Sequence, residues 1–243
     1  MSVQRLRRLA PILNGIFSLD YGRARRHGQP FDPRRQTALR FSVLRMPSTR
    51  LEAFSDAVFA IIITIMVLDL KVPHGDQVAA LRPLLPIFLS YVLSFAFLGI
   101  YWNNHHHMLH TVKQISGVNL WANLHLLFWL SLIPFTTGWM GENNFAAMPV
   151  AAYGVVLLLA AIAYWVLERS LIATEGPDSK IARAVGSHIK EYVSLALYAV
   201  AVAIASWLPL IACGCYVFVA LMWLVPDRRI EKRMSSRTSA KRD

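Results

Sequence analysis

Six apolar segments, each separated from the next by turn residues or charges, constrain the fold of this chain more than any other feature. They span residues 53–70, 84–102, 118–135, 146–167, 192–208 and 209–225. A helix of about 20 apolar residues crosses the hydrocarbon core of a bilayer. Charged residues make up only 16% of the chain, whereas soluble domains carry about 25%. We therefore predict an all-α, polytopic membrane protein with six transmembrane helices rather than a soluble globule.

The last two apolar segments are short, and only Trp207 to Pro209 separates them, so we expect a tight helical hairpin there. Segments four to six contain few polar groups, and we interpret them as a lipid-facing scaffold with small-residue packing sites. Cys213 and Cys215 lie one residue apart inside an apolar run. A thiol surrounded by apolar groups is unreactive, so no redox or metal role is expected for this pair.

The distribution of positive charge predicts the orientation. Assigning both termini to the cytoplasm places 23 of the 25 lysines and arginines inside, as the positive-inside rule requires. Three regions follow: a basic cytoplasmic extension over residues 1–45, disordered or on the membrane surface; a six-helix domain over 46–225; and a basic cytoplasmic tail over 226–243. Because these charges flank membrane segments, we expect anionic lipids at the basic termini and no nucleic-acid partner.

The first apolar segment carries polar residues at its inner end, in the run Arg50-Leu51-Glu52-Ala53-Phe54-Ser55-Asp56. A carboxylate at membrane depth needs a hydrogen-bond donor or stays protonated. The candidate donors for Asp56 are Arg50, Ser55 and a histidine from another helix. Capping of the helix N-terminus by Ser55 and Asp56 explains these residues equally well.

Further along the same helix, Ile61, Thr64 and Leu68 fall within an arc of about 60° at 100° per residue. Several copies of this helix around an axis would stack these residues into rings, and hydrophobic rings control ion flow by dewetting and close fit. The alternative is packing against lipid or the core, with the Thr64 hydroxyl bonded to its own helix.

The second segment ends in a group of histidines, at His105, His106, His107 and His110. Metal binding would require carboxylate or thiolate ligands, and none lies nearby in sequence. Asn123, in the third segment, can reach the same layer as His105 and Asp56. Hydrogen bonds between helices therefore explain these residues better than a metal, and we predict neither a metal site nor catalytic residues.

Three motifs resemble the TMEM175 family of potassium channels. They are Arg50-x-x-x-Phe54-Ser55-Asp56 with Ala60-Ile61-x-x-Thr64-x-x-x-Leu68 and Pro73, then Trp102-x-x-His105-His106, and finally Asn123 followed by Pro134-Phe135. The resemblance covers roughly residues 46–225 and excludes the N-terminal extension.

The resemblance implies a homotetramer in a bacterial cell membrane, with six spans per chain and the first helix of each subunit lining the pore. It implies Ile61 as the constriction, with Thr64 and Leu68 as further layers, although Ile65 lies near the same face. It also implies a polar network of Arg50, Phe54, Ser55, Asp56, His105 and Asn123. Such a protein is not an enzyme, needs no cofactor, and passes potassium in preference to sodium.

Two other functions remain open from the sequence. A proton-coupled secondary transporter would use Asp56 and the histidines of the second helix, and would show inverted repeats and broken helices. A membrane enzyme or a haem or metal protein would be built on His105 to His110, and would require paired ligands at the same depth on another helix.

Overall fold

The structure is a computed structural model that describes residues 46–74, 76–185 and 188–224. The predicted basic extension, residues 1–45, and the predicted basic tail, residues 226–243, lie outside the described residues.

Eight α-helices make up most of the described chain. They are α1 Ser48–Met66, α2 Leu85–His110, α3 Gly117–Ser131, α4 Ile133–Glu142, α5 Ala147–Glu175, α6 Lys180–Val185, α7 Ile189–Ile204 and α8 Pro209–Leu224. Short 3₁₀ helices extend α1 through Val67–Asp69 and precede α2 at Val78–Leu84. The described strands are β1 Met46–Pro47 and β2 Gln114–Ile115, which pair antiparallel.

Within the described part of the chain, four helical stretches are long and apolar enough to cross a membrane. They are Ser48–Asp69, Val78–His110, Gly117–Glu142 and Ala147–Glu175. The fifth and sixth predicted segments correspond to α7 and α8, which are 16 residues each and pack against each other. The prediction of an all-α, polytopic membrane protein is confirmed.

The third membrane segment is broken and longer than the sequence suggests. The predicted end at residue 135 is wrong, because α4 continues the segment to Glu142. The break lies at Leu132, immediately before the first turn of α4, where Pro134 removes a backbone donor that a first turn does not need. Thr137 donates its hydroxyl proton to the Ile133 carbonyl at 2.7 Å. The segment therefore re-forms as a helix directly after the break.

Helix α5 lies at the centre of the bundle and contacts α3, α4, α7 and α8. Tyr153 on α5 and Tyr216 on α8 are fully buried, with ring centroids 5.7 Å apart. The Tyr153 hydroxyl lies 3.0 Å from that of Ser94, and Tyr216 donates to the Val150 carbonyl at 3.1 Å. The interpretation of the later segments as a lipid-facing scaffold with small-residue packing sites is therefore wrong for these two tyrosines, because both are buried and their hydroxyls find partners inside the protein.

The close approach of α4 to α2 generates a test of this packing. A Cβ atom added to Gly141 would lie 2.7 Å from the Ile87 Cα and 2.5 Å from the Ser90 Oγ. The backbone at Ile87 can move only at a cost in free energy, and overpacking of a protein interior lowers the free energy of unfolding by about 1–3 kcal/mol. We expect Gly141→Ala to lower the Tm of the purified protein by roughly 3–10 °C.

Gly99→Ala is the matched control, because a Cβ added there meets nothing within 4 Å. It should leave the Tm unchanged or raise it, since alanine favours a helix over glycine. Equal Tm values for the two variants in thermal denaturation would show that α4 does not approach α2 as described.

Candidate functional site

Helix α1 has one buried face and one exposed face. The buried residues recur every three or four positions, at Ser48, Leu51, Ser55, Phe59, Ile62 and Met66. This face packs against α2, α3 and α4. The periodicity matches 3.6 residues per turn, so a single stripe of α1 carries its contacts with the rest of the chain.

The opposite face of α1 carries the residues that the sequence nominates for a pore. Ile61 is 56% exposed and Leu68 is 78% exposed, and Thr64 is exposed between them. Ile65, the alternative to Ile61, is 47% exposed on the same face. In a single chain this apolar stripe is therefore uncovered along three turns of the helix, and the choice between Ile61 and Ile65 as the narrowest ring stays a prediction.

The Thr64 hydroxyl is held within its own helix. It lies 2.8 Å from the Ala60 carbonyl and 3.0 Å from the Ile61 carbonyl, and it donates its proton to them. This is the back-bonded geometry common for threonine in membrane helices. Because the proton is directed to the backbone, the oxygen lone pairs are available on the exposed face.

At the other end of α1, a chain of hydrogen bonds joins three helices. Asn123 on α3 donates from Nδ2 to the Ser55 Oγ on α1 at 3.0 Å. Its Oδ1 lies 2.7 Å from the His105 Nε2 on α2. All three side chains are fully buried. With the amide in this orientation its oxygen only accepts, so the His105 proton lies on Nε2, and Nδ1 is a buried nitrogen without a hydrogen-bond partner among the described residues.

A second pair of contacts runs alongside this chain. The Trp102 indole donates to the Asp56 Oδ1 at 3.0 Å, and the His106 Nδ1 lies 2.9 Å from the Glu52 Oε1. Moving four residues forward on α1, from Glu52 to Asp56, corresponds to moving four residues back on α2, from His106 to Trp102. The two contacts are therefore one helical turn apart on each helix, as expected for antiparallel neighbours. The donor to Asp56 is therefore Trp102, and none of the three donors proposed from the sequence occupies that place.

Two predicted members of the polar network stand apart from it in a single chain. Arg50 is exposed and forms no hydrogen bond or ion pair with another described residue. Phe54 is 50% exposed, on the same stripe as Ile61. The structure thus joins Ser55, His105 and Asn123 directly and brings Asp56 beside them.

The sequence pattern alone did not identify Glu52 as a partner of this group. Three side chains each place one possible metal-ligand atom, a carboxylate oxygen or a ring nitrogen, within 4.8 Å of the other two: Glu52, Asp56 and His106. No carboxylate lies near the histidines of α2 along the sequence, but in the fold α1 supplies two carboxylates across the helix interface. The spacing of the residues could have indicated this contact. Glu52 and Asp56 are four residues apart and so share one face of α1, and Trp102 and His106 share one face of α2 in the same way.

The comparisons with known proteins agree along most of the chain. Residues 50–134 match the family model described as endosomal/lysosomal potassium channel TMEM175. A protein named potassium channel from Chryseobacterium sp. is 56% identical over 189 residues, which are 78% of this chain and 98% of that protein. The Bos taurus protein named endosomal/lysosomal proton channel TMEM175 is 30% identical over 185 residues, covering 68% of this chain and 37% of that protein.

A solved structure has the same fold. It is described as a lysosomal potassium-selective channel TMEM175 homolog from Chamaesiphon minutus, with a TM-score of 0.63 and 27% sequence identity over 73% of this chain and 96% of that chain. The protein is therefore an ion channel and not an enzyme, and in bacteria such a multi-pass protein lies in the cell membrane. Apolar spans, polar helix contacts and these relatives lead to one conclusion: the chain belongs to the TMEM175 family of ion channels, in its prokaryotic form.

Proposed function

We propose that this protein is a potassium-permeable channel in which four copies surround a pore lined by α1. The observation that carries the proposal is the continuous exposed stripe of Ile61, Thr64 and Leu68, on a helix whose other face is packed against its own chain. A stripe on one helix cannot enclose a pathway, so a pore along it requires other copies of the chain. Four is the number that the family resemblance implies, and the names of the relatives support potassium as the ion.

The composition of the stripe supports a pore more than a lipid contact. Small side chains, Ala57 and Ala60, lie exposed on the turns next to Ile61, and Thr64 adds an oxygen. Acidic groups flank the stripe, since Asp56 lies five residues before Ile61 and Asp69 directly follows Leu68. Acidic side chains near a pore entrance attract cations, whereas acyl chains gain nothing from them.

Selectivity in this proposal comes from the cost of removing water. An ion that passes a ring of four Ile61 side chains loses part of its hydration shell without gaining ligands. Smaller ions of the same charge hold their water more tightly, so sodium meets a higher barrier than potassium. One turn further, the Thr64 oxygens return some of the lost coordination, because their protons are directed to the backbone.

The buried chain of Ser55, Asn123 and His105 orients α1 in this proposal and does not bind the ion. It is fully buried on the face of α1 opposite Ile61. Hydrogen bonds between membrane helices contribute about 0.6 kcal/mol on average, up to about 2. They fix the rotation of α1, and thereby which side chains point to the pore.

Protons are the second candidate ion, because the Bos taurus relative is named a proton channel. A proton-coupled carrier built on Asp56 and the histidines of α2 is the corresponding alternative mechanism. A carrier predicts saturable flux that moves protons together with a second substrate. A channel predicts flux that rises with the potassium gradient and needs no proton gradient.

The predicted orientation belongs to the same proposal. Both termini lie on the cytoplasmic side, where residues 1–45 and 226–243 carry most of the positive charge. Anionic lipid headgroups are the partners that these two basic regions suit best, at about 1 kcal/mol for each basic residue near the surface.

Replacing the proposed constriction tests the pore directly. We expect Ile61→Asn to raise potassium flux into liposomes severalfold and to lower the preference for potassium over sodium, because an amide ring stays wet and offers ligands to both ions. Flux is measured with purified protein reconstituted at a fixed protein-to-lipid ratio, with each cation in turn.

Ile211→Asn is the matched control, since Ile211 on α8 is 54% exposed against 56% for Ile61. It should leave both the flux and the ion preference as in the unsubstituted protein. If Ile61→Asn is folded and also conducts as before, Ile61 is not the constriction.

The orienting role of the buried chain gives a separate prediction. Asn123→Leu keeps the size of the side chain but leaves Ser55 and His105 without their partner, at about 1–3 kcal/mol for each buried polar group. We expect the Tm to fall by roughly 3–10 °C. The potassium-to-sodium preference of the protein that remains folded should fall with it, because α1 is then held less firmly in the rotation that presents Ile61 to the pore.

Asn104→Leu is the control for this experiment, because Asn104 is half-buried on α2 and, among the residues that the structure describes, bonds only to the Ile100 carbonyl of its own helix. Its Tm should lie close to that of the unsubstituted protein. A lost ion preference in a fully stable Asn123→Leu protein would mean that the buried chain binds the ion.

A further inference from the structure

We propose that Glu168, His188 and Glu191 form a binding site for a divalent first-row transition metal, of which Zn²⁺ is the probe. The site is independent of the proposed pore, since none of its residues lies on α1. Glu168 comes from α5, His188 precedes the first turn of α7, and Glu191 lies in that turn. Each residue places one possible metal-ligand atom within 4.8 Å of those of the other two.

The distances fit a tetrahedral ion. The His188 Nδ1 lies 3.0 Å from the Glu191 Oε2 and 3.7 Å from the Glu168 Oε1. Zinc binds histidine nitrogen and carboxylate oxygen at about 2.0–2.2 Å, so two of its ligands stand about 3.4 Å apart. The observed distances lie on both sides of that value, and small side-chain movements bring all three atoms to one centre.

The buried carboxylate is the observation that points to a ligand. Glu168 is 2% exposed, and its Oε1 is buried without a hydrogen-bond partner among the described residues. An unpaired carboxylate oxygen in the interior is costly. The same oxygen is the atom that faces His188, at a distance too long for a hydrogen bond and suitable for a shared metal.

The surroundings leave room for a fourth ligand. Glu191 lines a cavity of about 50 Å³ that Tyr164, Trp165 and Trp223 also line. A water molecule on the metal in this cavity would complete a four-ligand set of one nitrogen and three oxygens.

The ligand types select the class of metal. Imidazole favours zinc, copper, iron and nickel over magnesium and calcium, and magnesium retains its water shell. Binding through the His188 Nδ1 moves the ring proton to Nε2, where the Arg169 guanidinium lies 3.4 Å away. That guanidinium is exposed and lies over the Trp165 ring at 5.4 Å, so it can withdraw from the ring nitrogen.

The test uses the full chain in detergent, stripped with a chelator and dialysed against a fixed micromolar concentration of free Zn²⁺. Metal per chain is counted by mass spectrometry, and the Tm is measured with and without Zn²⁺. We expect the unsubstituted protein to gain at least about 3 °C with Zn²⁺ and nothing with the same concentration of Mg²⁺. Glu168→Gln and His188→Gln should each lose one zinc per chain together with the gain in Tm.

His106→Gln is the matched control, because it disrupts the other group of one histidine and two carboxylates, at Glu52 and Asp56. It should keep the gain in Tm and the zinc that Glu168→Gln loses. His188 is partly exposed, so its variant tests the site even if Glu168→Gln fails to fold. The proposal is overturned if the unsubstituted protein binds no zinc, or if His188→Gln binds as much zinc as the unsubstituted protein.

Discussion

The hydrogen-bond chain from Ser55 through Asn123 to His105 is the constraint on which the candidate pore depends. In hydrocarbon no water is available, so polar side chains must find partners inside the protein. Ser55, on the inner face of α1, meets that requirement only when α1 is rotated toward α2 and α3. Because Ile61, Thr64 and Leu68 lie on the opposite side of the helix, this rotation leaves them outside the contacts of their own chain.

The rest of the bundle holds α2 and α3 in place for this chain of contacts. Helix α5 packs against α3, while α4 packs against α2 through the close approach at Gly141. On α3, the Asn119 side chain caps the helix start with Ser116 and donates to Ser170 on α5 at 3.1 Å. The glycine contact and the capping residue thereby support the position of Asn123.

The sequence predicted much of this fold for physical reasons. Apolar run lengths determine the membrane helices, and a period near 3.6 residues separates the two faces of α1. The lengths of the apolar segments did not predict α4, because that helix continues into a more polar stretch. Thr136 and Thr137 direct their hydroxyls to the helix backbone there and are buried in the bundle. Pro134 in the first turn of α4 indicates the break in the third membrane segment, but it does not indicate that a helix continues to Glu142.

The candidate site was predictable by residue type but less so by partner. Ser55, Asn123 and His105 are polar residues in apolar helices, and such residues usually contact one another. Choosing Trp102 as the donor to Asp56 requires the register between α1 and α2, and a single sequence does not contain it. Glu168 was missed because its partners, His188 and Glu191, lie some twenty residues later, beyond a polar connection.

The proposed pore requires that water reach the exposed face of α1 in the assembled protein. The direct measurement replaces Cys213 and Cys215 by serine, introduces Ile61→Cys, and follows potassium flux during treatment with a charged, membrane-impermeant thiol reagent. We expect progressive block of the flux for Ile61→Cys and no block for Ile211→Cys on α8. A folded, conducting Ile61→Cys protein that the reagent leaves unmodified would contradict the proposed pore, because that residue would then face lipid.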